Sequence, residues 1–327
     1  MEDKFTIVFH GGAGLIPRSV DPERYYSSLR VIADKTFQYA KENLSNSGIG
    51  AVDVVEFAVC LFEDDPNFNA GYGAVYTADE THEMEASLMS GADLKCGAVS
   101  MIKHIKHPIS LARTVMEKTC HVCLVGDGAE RLAKKHNFDI VPPNYFDTIP
   151  RYEQLKLAKE IEGTFNDHDL IKPNVSSTTD SPIESSLGTV GCVCLYKGHL
   201  AAGTSTGGMT NKLSGRMGDS PINGAGNYAN DQTCAVSCTG KGEEFMRHVV
   251  AHDLHCRMLY TRSLLRQAAQ DVISSLPPLT GGLVAVDAAG TPVMRFNSLG
   301  MIRGWVDQTG SGELGIWENC IPLSVVL

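Results

Sequence analysis

Residues 163–187 divide the chain. Of these 25 positions, 15 are Ser, Thr, Asn, Asp or Pro, so the stretch has little apolar surface with which to offset the entropy of ordering it. An aperiodic segment of this length is uncommon inside a compact protein and is usually either functional or a tether. It also marks a step in charge. The 327 residues carry a formal charge of −10, and all of the acidic excess precedes residue 189: 28 acidic against 18 basic side chains before it, 10 against 10 from there on. An acidic balance repels phosphate backbones and anionic lipid, so neither nucleic acid nor a membrane is the expected partner. No run of sequence approaches the roughly 20 apolar residues of a spanning helix.

The amino terminus starts with Glu2 and Asp3 and holds only the short apolar run Phe5–Phe9 before His10-Gly11-Gly12, which does not read as a signal peptide. The 10 cysteines form no dense framework. A cytoplasmic protein is expected. Helical spacing runs over Arg24–Glu42, Ala51–Glu63, Ser110–Lys118, Gly128–His136, Arg151–Glu162, Glu243–Tyr260 and Arg262–Ser275. Strands are predicted at Phe5–Phe9, Gly97–Ile102, Gly188–Tyr196, Leu200–Thr206, Cys234–Cys238, Leu283–Asp287 and Pro292–Phe296, with His10-Gly11-Gly12-Ala13-Gly14 as a loop after the first. This alternation predicts an α/β or layered α+β fold.

The polar segment ends at Gly188-Thr189, where a β-rich run begins. A threonine hydroxyl is a weak nucleophile until a base takes its proton, and a threonine at a chain terminus has that base in its own α-amine. The amine's pKa of about 7.7–8.0 suits exchange near neutral pH. Attack of the Thr189 hydroxyl on the Gly188 carbonyl would free that amine, and glycine tolerates the strained dihedrals such a step needs. By itself Gly-Thr is also an ordinary loop-to-strand junction, so the dipeptide alone decides nothing.

Several separated motifs accompany it: His10-Gly11-Gly12-Ala13-Gly14, Asn69-Ala70-Gly71-Tyr72-Gly73-Ala74-Val75, His82-Glu83-Met84-Glu85-Ala86, Gly188-Thr189-Val190-Gly191, Thr204-Ser205-Thr206-Gly207-Gly208-Met209-Thr210-Asn211-Lys212, Gly215-Arg216-Met217-Gly218-Asp219-Ser220-Pro221 and Cys238-Thr239-Gly240-Lys241-Gly242-Glu243. In these the chain resembles the plant-type asparaginase and isoaspartyl peptidase family of threonine-type N-terminal nucleophile hydrolases, over nearly its full length outside 163–187. The resemblance implies a single α+β hydrolase domain, a four-layered αββα sandwich. It would mature by self-cleavage into an alpha subunit (1–188, with 163–187 as flexible linker) and a beta subunit (189–327), paired as a dimer of heterodimers.

The resemblance also implies roles. Gly188 and Thr189 flank the cleavage site, and Thr189 is the nucleophile, held by a hydrogen bond from Thr206. Thr239, through its hydroxyl, and Gly240, through its N–H, stabilise the oxyanion. Asn69 helps to hold the site, and Gly242 shapes the loop. Arg216 and Asp219 bind the carboxylate and ammonium of an α-amino acid, a pairing their chemistry suits; without the resemblance they read as a local surface ion pair. Main-chain carbonyls of Phe62, Glu63, Asp65, Phe68, Ala70 and Tyr72 are implied as a sodium loop, and no organic cofactor is needed. The implied substrates are L-asparagine and β-aspartyl dipeptides. A glycosylasparaginase-type activity is the alternative within the class, although such enzymes carry Asp-Thr where this chain has Gly188-Thr189. A non-cleaving binding protein on the same fold is the alternative outside it.

Other constellations compete weakly. His248, His252 and His255 share a helical face but lack the general-base glutamate of a His-Glu-x-x-His hydrolase, since Val249 follows His248. Cys120 and Cys123 form one Cys-x-x-Cys without a second pair. Neither Gly11–Gly14 nor Gly224-Ala225-Gly226 shows the full dinucleotide pattern.

Overall fold

The central strands are buried along nearly their whole length, and their alternate side chains join different apolar clusters. The computed structural model describes residues 4–46, 48–160 and 188–325; the expected linker 163–187 lies outside the described residues. In chain order the elements are β1 (Phe5–Gly14), α1 (Pro22–Glu42), α2 (Ala51–Glu63), β2 (Met84–Ser90), β3 (Cys96–Ile102), α3 (Pro108–Lys118), β4 (Cys123–Val125), α4 (Asp127–Lys135) and α5 (Ile149–Glu160). Beyond the polar segment come β5 (Val190–Tyr196), β6 (His199–Thr206), β7 (Asn227–Ala229), β8 (Cys234–Gly240), α6 (Gly242–His248), α7 (Val250–Thr261), α8 (Leu265–Ser275), β9 (Gly281–Asp287), β10 (Pro292–Phe296), β11 (Gly300–Asp307), β12 (Ser311–Gly315) and β13 (Cys320–Ser324). One sheet has nine strands in the order β13-β12-β11-β1-β5-β6-β2-β3-β4, and the other four, β10-β9-β8-β7.

Period two then sorts the side chains. Phe5, Ile7 and Phe9 of β1 and Cys192 and Cys194 of β5 share an apolar cluster with α1, α2 and α3. Their neighbours Val8, Val193 and Leu195 share another with Ala235 of β8 and Val284 and Val286 of β9, drawn from the four-stranded sheet. On that sheet the alternate residues Val236, Leu283 and Ala285 cluster with α7 and α8. Both faces of each sheet are therefore covered by apolar contacts.

Local chemistry sets the element ends. Asp21 caps α1 by accepting from the Glu23 N–H (3.0 Å), with Pro22 at the first helical position. The β5–β6 hairpin turns on Lys197 and Gly198, both at positive φ (51° and 83°), as tight two-residue hairpins require. Three expectations are corrected. His10–Gly14 is strand, not loop: β1 continues through it with a bulge between His10 and Gly12 and keeps pairing with β11, because the glycines leave room for close backbone approach. The helix expected over Glu243–Tyr260 breaks at Val249, which adopts a left-handed conformation (φ 48°, ψ 47°). β2, β4, β7 and β11–β13 were not expected: β4 and β7 are only three residues long, β11–β13 are interrupted by glycine or proline, and β2 (MEASLMS) has no β-branched or aromatic residue. Among the described residues no helix is long and apolar enough to cross a membrane.

Candidate active site

The site grows out of the same alternation. Continuing the register of Val193 places Gly191 and Thr189 on the face between the sheets, and continuing that of Ala202 places Thr204 and Thr206 there. Met89 brings Ser87 and Glu85 to that face on β2, where Glu85 pairs with Thr206. Ala235 brings Ser237 and Thr239 from β8. Toward these strand ends the apolar layer gives way to buried polar groups.

His10, absent from the expected site, anchors the Thr189 backbone. Its Nδ1 donates to the Thr189 carbonyl (2.9 Å), which leaves Nε2 to accept from the Ser237 hydroxyl (2.8 Å). Ser237 in turn accepts from Thr204 (2.8 Å), whose oxygen accepts from Asn227 Nδ2 (3.3 Å). Every donor in this buried row has one direction. Burial depresses the His10 pKa to about 3, so the ring is neutral and orients the backbone rather than adding charge. Beside it, a Cβ on Gly12 (φ +118°) would lie 2.4 Å from the Gly188 nitrogen. The Gly188-Thr189 dipeptide thus rests on a position that only glycine fits.

One small cleft gathers most of the expected residues: Gly188, Thr189, Thr206, Arg216, Asp219, Gly240 and Gly242, together with Gly208, Met209 and Gly218. The expected hydrogen bond between Thr206 and Thr189 is not formed; Thr206 Oγ1 instead accepts from the Gly208 N–H (3.0 Å). Asn69 is buried behind the cleft and bridges two backbones, donating to the Gly208 carbonyl (2.7 Å) and accepting from the Val75 N–H (3.1 Å). Thr239 Oγ1 accepts from the Ala13 N–H (3.2 Å). A Cβ on Gly240 (φ +149°) would meet the Thr280 carbonyl at 2.2 Å, so the backbone there turns where no side chain could follow.

The charged residues carry partners that sequence reading missed. Arg216 is gripped by Glu243, with Nε at 3.0 Å and Nη2 at 2.9 and 3.0 Å from its oxygens, while Nη1 lies 3.9 Å from Glu85. Glu85 also accepts from the Gly218 N–H (3.1 Å), and Lys212 Nζ, buried at 4.0 Å from Glu85, donates to the Glu83 carbonyl (2.7 Å). Asp219 is buried, one of its oxygens has no hydrogen-bond partner, and burial pushes its pKa up to about 7 despite Arg216. An incoming ammonium would satisfy that oxygen and favour the ionised form. The signal for Glu83 and Glu85 was their i, i+2 spacing in one motif; Glu243 stood next to Gly242 without a reason to reach Arg216.

A protein-family model described as Asparaginase matches residues 3–316. The chain belongs to this asparaginase family. It is 44% identical over 326 residues to the isoaspartyl peptidase of Escherichia coli K12, covering 97% of each chain. It is 45% identical over 327 residues to the isoaspartyl peptidase of Salmonella typhimurium (97% of this chain, 100% of that one). The probable isoaspartyl peptidase/L-asparaginase 2 of Arabidopsis thaliana is 42% identical over 326 residues (96% and 99%). The family match spans every motif quoted from the sequence.

The rival constellations do not assemble. The break at Val249 puts His248 on α6, 3.7 Å from Glu244, while His255 on α7 is buried against Thr233 (2.6 Å). Cys120 and Cys123 are exposed free thiols.

Proposed function

We propose that the chain cleaves itself between Gly188 and Thr189 and then hydrolyses the side-chain amide of L-asparagine and the isopeptide bond of β-aspartyl dipeptides, releasing L-aspartate. The carrying observation is the single cleft that holds Thr189 at a strand end beside Arg216, Asp219 and Gly240. In the first step the Thr189 hydroxyl adds to the Gly188 carbonyl, the C–N bond breaks, and an ester between Gly188 and Thr189 Oγ1 replaces the amide. Water hydrolyses that ester, leaving a carboxylate on Gly188 and a free amine on Thr189.

In turnover the amine takes the hydroxyl proton as Oγ1 attacks the substrate amide. The developing oxyanion is held by the Thr239 hydroxyl and the Gly240 N–H, Thr206 stands beside the nucleophile in the cleft, Asn69 holds the loop behind it through Gly208 and Val75, and Gly242 keeps room beside Arg216 and Asp219. Ammonia or an amino acid leaves with a proton, and water releases aspartate from Thr189. Arg216 binds the substrate carboxylate, sharing or exchanging its Glu243 contacts, and Asp219 binds the ammonium. No organic cofactor enters these steps.

The three apolar clusters support reading the fold as a four-layered αββα sandwich of the N-terminal nucleophile hydrolase type, a single hydrolase domain with subunits 1–188 and 189–327. A dimer of such heterodimers in the cytoplasm completes the proposal. A sodium ion on the carbonyls of Phe62, Glu63, Asp65, Phe68, Ala70 and Tyr72 would brace the Asn69 segment. Two glycines fit this reading: a Cβ on Gly71 or Gly73 would lie 2.4 Å from the Glu63 carbonyl or 2.0 Å from that of Phe68, and oxygen donors suit a hard cation.

Intact mass and amino-terminal sequencing of purified protein test the proposal. A chain beginning at Thr189 is expected. Thr189→Ala should give one uncut 327-residue chain that releases no aspartate from either substrate; cutting in that variant refutes the assignment.

A further inference from the structure

Away from the cleft, the end of α2 meets the start of α3. Cys60 and Glu63 are three residues apart and share one face of α2, and His107 immediately precedes α3. A carboxylate oxygen of Glu63, the Cys60 Sγ and a His107 ring nitrogen all lie within 4.8 Å of one another, the one such grouping among the described residues. Glu63 is 1% exposed. One of its oxygens accepts from Ser205 Oγ (2.6 Å) and the Ile109 N–H (3.1 Å); the other is buried with no hydrogen-bond partner. A buried carboxylate oxygen left this way is costly unless a proton or a cation meets it.

We propose that Cys60, Glu63 and His107 form a site for a divalent transition metal, zinc by its donor set, independent of the chemistry at Thr189. Sulfur, imidazole nitrogen and carboxylate oxygen together select a borderline-soft tetrahedral ion over sodium or magnesium. Three ligands from two elements leave a fourth position for water, while Asp64, whose Oδ1 lies 3.0 Å from both His107 Nε2 and Lys106 Nζ, makes a carboxylate–imidazole pair of the kind that orients metal-bound histidines. Binding releases to solvent the Cys60 thiol proton and any proton on Glu63, and the ion replaces them. Its effect is to tie α2 to α3, directly beneath the strand that carries Ser205.

The full-length protein, stripped with a chelator and titrated with Co2+ alone, should take up one equivalent and develop a thiolate-to-cobalt charge-transfer absorption that added Zn2+ removes. Cys60→Ser should lose the absorption, and His107→Gln should weaken uptake by about tenfold or more, both with the metal-free melting temperature unchanged. The double variant Cys120→Ser/Cys123→Ser, which deletes the exposed thiol pair, should keep the full signal. Absence of stoichiometric uptake, a signal that survives in Cys60→Ser, or one that vanishes with the exposed pair overturns the assignment.

Discussion

Asp219 and Arg216 sit in the same cleft but in opposite electrostatic condition. Arg216 has an acid on its fork already, whereas Asp219 is buried with an oxygen unmet. Losing either partner of a buried charged contact typically costs about 2–5 kcal/mol, so Arg216→Ala and Asp219→Asn should each lower kcat/KM roughly thirtyfold to several thousandfold. Steady-state rates on L-asparagine and a β-aspartyl dipeptide check this. Asp219 also predicts a pH effect. Its folded pKa, raised to about 7 by burial, exceeds the unfolded value, so its contribution to stability is complete below about pH 4 and is lost as pH rises through 7. Urea melts of the uncut Thr189→Ala chain should show this loss, and adding Asp219→Asn should shrink it; Glu63, pushed up to about 8 by burial, supplies a remainder.

Among the elements, β1 and the α6–α7 junction carry the strain. Gly12 lets β1 bulge against Gly188, so Gly12→Ala would drive a methyl into that backbone at a left-handed φ. Slower or absent self-cleavage and about 1–3 kcal/mol of lost stability are expected from gel time courses and melts. Val249 is the reverse case. It is a half-exposed β-branched residue held left-handed between two helices, and that conformation costs an L-residue about 1–2 kcal/mol. Val249→Gly should raise the melting temperature without changing activity, and a fall would show that the Val249 side chain contributes more by packing than the strain costs.

At the scale of the molecule, the proposed cut falls between strands that remain interleaved. β1 is hydrogen-bonded on both sides, to β5 and β11, and β2 on one side, to β6, all three strands from after residue 188. The two chains should therefore stay together through gel filtration after cleavage and separate only in denaturant. Separation under native conditions would contradict this. The acidic excess then belongs to the first chain of a complex and not to a free partner.

The sequence by itself determined much of this. The Gly188-Thr189 junction after a polar segment, the ordered motifs and the helical spacing of α2, predicted and observed as Ala51–Glu63, are local signals that periodicity and residue chemistry carry. Thr189, Thr206, Arg216, Asp219, Gly240 and Gly242 were all named from it and all line the cleft. Tertiary structure alone decided what partners they meet. That His10 lies in a strand and holds the Thr189 carbonyl depends on β1 entering between β5 and β11, a pairing with segments about 180 and about 290 residues away that no local pattern encodes. That Glu243 holds Arg216, and that Glu63 is buried beside Cys60 and His107, depends likewise on which elements pack together. Strand alternation fixes the face on which a side chain stands; only the packing of sheets and helices fixes what it faces.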